Sequence, residues 1–194
     1  MPAGAPKAGG RRKGRPTARA ARRLDAAQTS SLHACITLSL LIGARTEELR
    51  ALTWSHVDLD GTPPSIMVWR SVRAGGDTKT KKSRRTLAMP QRCVSALQDH
   101  RVQQEEVCRA AGTRWRDNDL VFPSRVGTPL DASHVRRSFR KVVAAAGLDP
   151  GSWTPHELRH SFVSLLSDAG VPIEHISLLV GHSGTTTTET IYRK

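Results

Sequence analysis

His156 and Arg159 stand three residues apart behind Thr154-Pro155, a strong helix start, so both fall on one helix face. An imidazole can take or share a proton near neutral pH, and a guanidinium is a permanent forked cation. His160 follows Arg159 and lies one turn from His156. Arg45, in Gly43-Ala44-Arg45-Thr46-Glu47-Glu48-Leu49, falls between a dense apolar run and the start of another helical stretch. Such junctions often carry positioned functional groups. Glu48 is within one turn and can hold the Arg45 guanidinium, although a purely structural Arg–Glu pair is, on the spacing alone, the better account. Lys79 lies in Thr78-Lys79-Thr80-Lys81-Lys82-Ser83-Arg84-Arg85. A lysine on such a loop can donate a proton or meet a phosphate. Charge alone does not separate it from Lys81, Lys82, Arg84 and Arg85. His182 follows Gly181, and Tyr192 is the only tyrosine of the chain. Taken singly, each of these has a bland explanation: a surface pair, a solvated basic loop, an incidental aromatic near a terminus.

The elements that must position these groups can be read from pattern. Thr29 to Gly43 is dense in apolar residues and predicts a mostly buried helix ending near Gly43. A short helix follows over Glu47 to Leu52. Ser65 to Arg70 and Arg85 to Met89 predict two strands of a hairpin, with Ala74-Gly75-Gly76-Asp77 as a turn. Pro90 suits the first position of a long helix ending near Gly112. Leu120 to Pro123 reads as a short extended piece. Asp131 is placed to cap a helix to Gly147, with Val135, Phe139, Val142, Val143 and Ala146 on one face. The other face carries Arg136, Arg137, Arg140 and Lys141, either a solvated face or a set of phosphate contacts. Thr154 and Glu157 predict a capping box for a helix to about Ala169. Pro172 opens another helix, ending at Gly181. A Thr-rich link, Thr185 to Thr188, leads to a last short helix with Tyr192. The fold class is mainly α with a small antiparallel β-hairpin or sheet.

The 194 residues carry a net charge of +13, which points to a polyanionic partner whose counterions binding would release. Eight cations and no acid fall within residues 1–24, leaving +5 for the remainder. That segment is rich in Pro, Gly, Ala and Arg and reads as disordered. Lys13-Gly14-Arg15-Pro16 resembles an AT-hook core, but non-specific DNA binding by a basic tail explains it as well. Three cysteines without a CxxC pair argue against a disulfide framework or a zinc site and fit a reducing cytosol. The apolar runs are too short to span a membrane, and the start lacks a signal-peptide core.

No single motif decides the function, but their order does. GARTEEL comes first, then TKT with SRRTL after it, HELRH, LLVGHS, and a tyrosine ten residues past the histidine. In this order the sequence resembles the catalytic domain of the tyrosine recombinase and phage integrase family, of the actinobacterial integrase kind. The resemblance covers roughly residues 28–194, with residues 1–27 as a disordered basic tail. It implies the DNA breaking-rejoining fold, a mainly helical domain with a small antiparallel sheet. It also implies roles: Arg45 as first catalytic arginine with Glu48 its acidic neighbour, Lys79 as the hairpin lysine, and His156 and Arg159 as the His-x-x-Arg pair. His182 would be the third-box histidine and Tyr192 the nucleophile, with His160 in support and Lys81, Lys82, Arg84, Arg136, Arg137 and Arg140 as DNA contacts.

The implied chemistry is phosphoryl transfer. Tyr192 attacks a DNA phosphodiester and becomes joined to the 3′ phosphate while a 5′-hydroxyl leaves. A second 5′-hydroxyl reverses the step, so no ATP, cofactor or metal is called for. A free phenol has a pKa near 10, so only about 0.1% is ionised at pH 7 and the nucleophile needs a proton acceptor such as His156. Arg45 and Arg159 would clamp the phosphate oxygens as they gain charge, and Lys79 would protonate the leaving oxygen. The expected partners are double-stranded DNA and further copies of the chain in a synaptic tetramer. The expected location is the cytoplasm of a bacterium or phage host, at the nucleoid, with no membrane attachment. Family members commonly have a core-binding domain before the catalytic one and a docking tail after the tyrosine. Here a basic tail precedes residue 28 and only Arg193 and Lys194 follow Tyr192. The alternative expectation is therefore a truncated integrase remnant that binds DNA without productive recombination.

Overall fold

A helix that is apolar on every side must be buried on every side. Helix α1 (His33–Leu41) meets that condition: Ala34, Ile36, Thr37, Leu38, Ser39 and Leu40 are all buried. The computed structural model describes residues 32–69, 71–72 and 84–181. Around α1 stand α2 (Thr46–Arg50), a three-stranded sheet of β1 (Val57–Asp58), β2 (Ser65–Val68) and β3 (Arg85–Ala88), and α3 (Gln91–Ala111). Then come α4 (Ala132–Ala145), α5 (Pro155–Asp168) and α6 (Ile173–Val180).

One side of α1 joins a core built from Leu38, Ile42, Leu49, Ile66, Val68, Leu87, Cys93, Leu97 and Val121, which unites α2, the sheet and α3. The other side, through Ile36 and Leu40, packs on Phe139, Val142 and Val143 of α4 and Leu158 of α5. A third cluster, Phe162, Val163, Ile176 and Val180, fastens α6 to α5. The sheet has the order β1-β2-β3 and is antiparallel throughout, with Ile66 opposite Leu87 and Val68 opposite Arg85. Sequence pattern predicts only the β2–β3 pair; β1 is two residues long, too short for alternation to register.

Several predicted ends shift by a residue or two. Pro90 and Pro172 precede their helices in extended backbone and do not occupy the first turn. The Pro90 carbonyl accepts the first bond, from the Cys93 amide at 2.8 Å. Asp131 caps α4 as expected, its carboxylate accepting from the Ser133 amide. The predicted capping box at α5 takes a different form. The Thr154 hydroxyl donates to the Glu157 carboxylate instead of accepting from the backbone. The reciprocal carboxylate-to-backbone bond expected there occurs at α2, where the Arg45 amide donates to Glu48 Oε2 at 2.8 Å. Residues 1–27, the hairpin turn, the Thr-rich link and the last helix all lie outside the described residues, as do Thr29 to Ser31 at the predicted start of α1.

Candidate active site

The site begins at the end of α1. Gly43 takes φ +66°, and a Cβ there would lie 2.4 Å from Phe162 Cδ1, so both conformation and space require glycine. This turn brings the Gly43 carbonyl to Arg159, whose Nη1 donates to it at 2.5 Å. The second nitrogen of Arg159 donates to the Val180 carbonyl at the end of α6. Arg159 is buried on α5, with 4% of its surface exposed, so its charge sits among fixed acceptors in a low-dielectric setting.

Two residues past Gly43, Arg45 stands in extended backbone as the N-cap of α2. Its Nη1 donates to Glu48 Oε1 at 2.7 Å, and its Nη2 reaches the Gly181 carbonyl at 3.4 Å. Arg45 and Arg159 therefore take consecutive carbonyls, Gly181 and Val180, at the end of α6. They differ in access: the Arg45 side chain is 27% exposed and can still meet an incoming anion.

Glu48 is shared. Besides Arg45, it receives a two-pronged bond from Arg85, Nη1 to Oε1 at 3.1 Å and Nη2 to Oε2 at 2.9 Å. Arg85 Nε donates to the Leu179 carbonyl at 2.9 Å. Burial pushes the Glu48 carboxyl upward. The Arg85 hydrogen bonds and charge, followed by the charge and amide of Arg45, outweigh burial and bring it below its usual value. Glu48 is thus held ionised, and two guanidiniums against one carboxylate leave the cluster net positive.

His156 is exposed on the first turn of α5, its ring edge-on to His160 with 4.5 Å between centroids. Arg136, Arg137 and Arg140 are exposed on α4, opposite the buried Val135, Phe139, Val142 and Val143. Arg84 is exposed just before β3. The structure thus joins Arg45, Glu48 and Arg159 and sets His156 one turn from Arg159. None of the hydrogen bonds among the described residues connects the α4 arginines to that cluster. Lys79, Lys81, Lys82, His182 and Tyr192 lie outside the described residues. In sequence, His182 is the residue immediately after Gly181.

Arg85 is the residue that sequence reasoning passes over in favour of its neighbour. The signal is present in the strand period. Leu87 and Met89 are buried and Thr86 and Ala88 exposed, so Arg85 shares the inward face and Arg84 does not.

Comparison with known proteins identifies the family and the fold. The model of the phage integrase family matches residues 18–194. An integrase from Streptomyces ambofaciens is 60% identical over 179 residues, covering 88% of this chain and 46% of the relative. The crystal structure of XerA recombinase superposes with a TM-score of 0.75 at 27% identity, over 93% of this chain and 60% of that one. The Tn1549 transposon integrase, solved in complex with transposon right end DNA, has a TM-score of 0.75 at 22% identity and shares the fold over 95% of this chain and 62% of that one. The chain spans about half the length of the curated relatives it matches, 46% for the Streptomyces protein.

Proposed function

The chain belongs to the phage integrase family, and from that premise we propose that it supplies the DNA-cutting and rejoining site of a tyrosine-type, site-specific recombinase. One observation carries the reading: Arg45 and Arg159 take consecutive carbonyls, Gly181 and Val180, at the end of a helix whose next residue in sequence is His182. Two fixed guanidiniums anchored in this way suit a phosphate whose oxygens gain charge during substitution.

In this reading Tyr192 attacks phosphorus and the DNA 5′-oxygen departs, leaving a 3′-phosphotyrosyl link. His156, exposed on the first turn of α5, takes or shares the phenolic proton. Arg45 and Arg159 hold the non-bridging oxygens, His182 adds a hydrogen bond, and Lys79 returns a proton to the leaving oxygen. Covalent capture conserves the bond energy for the reverse attack by a new 5′-hydroxyl. Arg136, Arg137 and Arg140, with Lys81, Lys82 and Arg84, neutralise flanking phosphates. Exchange between two duplexes breaks four strands, so the working assembly is a tetramer of such sites on DNA. Its place is the bacterial cytoplasm at the nucleoid. None of the described helices is long and apolar enough to cross a membrane.

The test is covalent capture on a nicked DNA substrate that cannot religate. The expected result is a protein–DNA band that survives denaturant and disappears in Tyr192→Phe. A band that persists in Tyr192→Phe would rule out this nucleophile. On intact paired sites, where religation is possible, cleavage without strand exchange would assign this chain cleavage chemistry alone.

A further inference from the structure

Three successive carbonyls at the end of α6 are each taken by a different arginine: Leu179 by Arg85, Val180 by Arg159 and Gly181 by Arg45. Unpaired carbonyls end every helix, and cations stabilise that negative end. Arg45 and Arg159 are already assigned to the phosphate. Arg85 is different. Both of its terminal nitrogens donate to the Glu48 carboxylate that also holds Arg45, and its Nε donates to the Leu179 carbonyl, so it acts on the acceptor behind a phosphate-assigned arginine.

We propose that Arg85 is a positioning residue of the recombination site, which fixes the Glu48 carboxylate behind Arg45 and pins the end of α6 from which His182 continues. The proposal rests on the recombinase reading above. Its physical content has two parts. The first is charge. A lone Arg45–Glu48 pair would be neutral, and the carboxylate would draw the Arg45 guanidinium away from an incoming phosphate. Arg85 shares that carboxylate, so the cluster keeps a net positive charge at the exposed guanidinium. The second is geometry. Arg85 opens β3, on the inner face with Leu87, so the strand base, α2 and α6 are bolted together through one planar group. Glu48 faces Arg45 and Arg85, and these are the charges that set its ionisation.

The test compares Arg85→Gln and Arg85→Lys with the native full chain by two independent measurements. The first is NMR of the folded protein without DNA. Loss of the fork should raise the pH at which the Glu48 carboxyl titrates and speed rotation of the Arg45 guanidinium, with Lys restoring only part of each effect. The second is the rate of covalent capture at saturating DNA. It should fall roughly 10–100-fold in Arg85→Gln, the range for groups that act through the residue they orient. DNA affinity should change by less than about threefold, because phosphate contacts elsewhere are untouched. A merely structural Arg85 would lower thermal stability and leave capture per folded molecule and the Arg45 signals as they were; that result overturns the proposal. Should Arg85→Gln fail to fold, Arg85→Lys decides by the same two readouts. A native chain that captures no DNA would refute the recombinase reading, while the NMR comparison would still decide whether Arg85 orients Arg45.

Discussion

Replacing Gly43 with alanine tests the junction on which the site is built. Two separate penalties apply. The backbone is left-handed at φ +66°, which costs a residue with a Cβ roughly 1–2 kcal/mol. The new methyl would also lie 2.4 Å from Cδ1 and 2.7 Å from Cε1 of Phe162, a buried ring with little room to retreat. Overpacking of that kind costs about 1–3 kcal/mol, for a total of about 2–5 kcal/mol. For a chain of this size, 1 kcal/mol moves the melting temperature by about 2–4 °C, so the expected fall is roughly 4–20 °C. The molecule contains its own control. Gly170 has φ +77° with nothing within 4 Å of its would-be Cβ. Gly170→Ala should therefore show the backbone penalty alone, and the difference between the two variants isolates the clash. Phe162→Leu combined with Gly43→Ala should recover more than additivity predicts, by about 1 kcal/mol or more, since the two groups would be in contact. Thermal denaturation of Gly43→Ala, Gly170→Ala, Phe162→Leu and the Gly43→Ala/Phe162→Leu double variant measures all of this. A Gly43→Ala protein no less stable than Gly170→Ala, with no coupling to Phe162, would refute the steric reasoning.

Two further expectations follow from the surface and from acid titration. Changing Arg136, Arg137 and Arg140 together to alanine should leave melting almost unmoved, since each is exposed. If all three meet phosphates, the slope of log affinity against log salt should become shallower by about 0.9 for each phosphate no longer neutralised, as read by fluorescence anisotropy on duplex DNA; an unchanged slope would free α4 of any DNA role. His100 lies under the segment at 120–122, its Nε2 bonded to the Val121 carbonyl at 2.6 Å. Burial lowers its pKa from 6.5, partly offset by that bond. The unfolded chain then binds the proton more readily, so stability is complete above about 6.5 and declines as pH falls toward the folded value. Urea midpoints at about pH 7.5 and about 5.5 should show an acid loss in the native chain that is smaller in His100→Gln.

Much of this architecture is legible in the residues, for identifiable reasons. The all-round apolar character of 32–42 demands a central helix, and Asp131 marks the start of α4 through ordinary capping chemistry. Arg45 and Glu48 can be paired from their spacing alone, but that spacing favours a structural pair. The α2 cap escapes a reading of the sequence because arginine has no acceptor with which to cap a helix; the Glu48 carboxylate instead reaches back to the Arg45 amide. The Thr154–Glu157 spacing does predict an interaction, but two side chains in reach of each other bond directly. Arg159 illustrates the limit most clearly. Its helix and face are readable, whereas its bonds to the Gly43 and Val180 carbonyls join residues far apart in sequence. Only the shared packing of α1, α5 and α6 brings those carbonyls together, and no local pattern encodes it.

The row of carbonyls at 179–181 has a consequence for how this domain can change over time. An α-helix turns by about 100° per residue, so inserting or deleting one residue inside α6 would present each arginine with a neighbour's oxygen pointing elsewhere. Three guanidiniums from β3, α5 and the start of α2 would all have to find new partners at once. The length of this helix is therefore far less free to drift than its exposed side chains Leu178 and Leu179, and related sequences should vary there in letters and not in spacing.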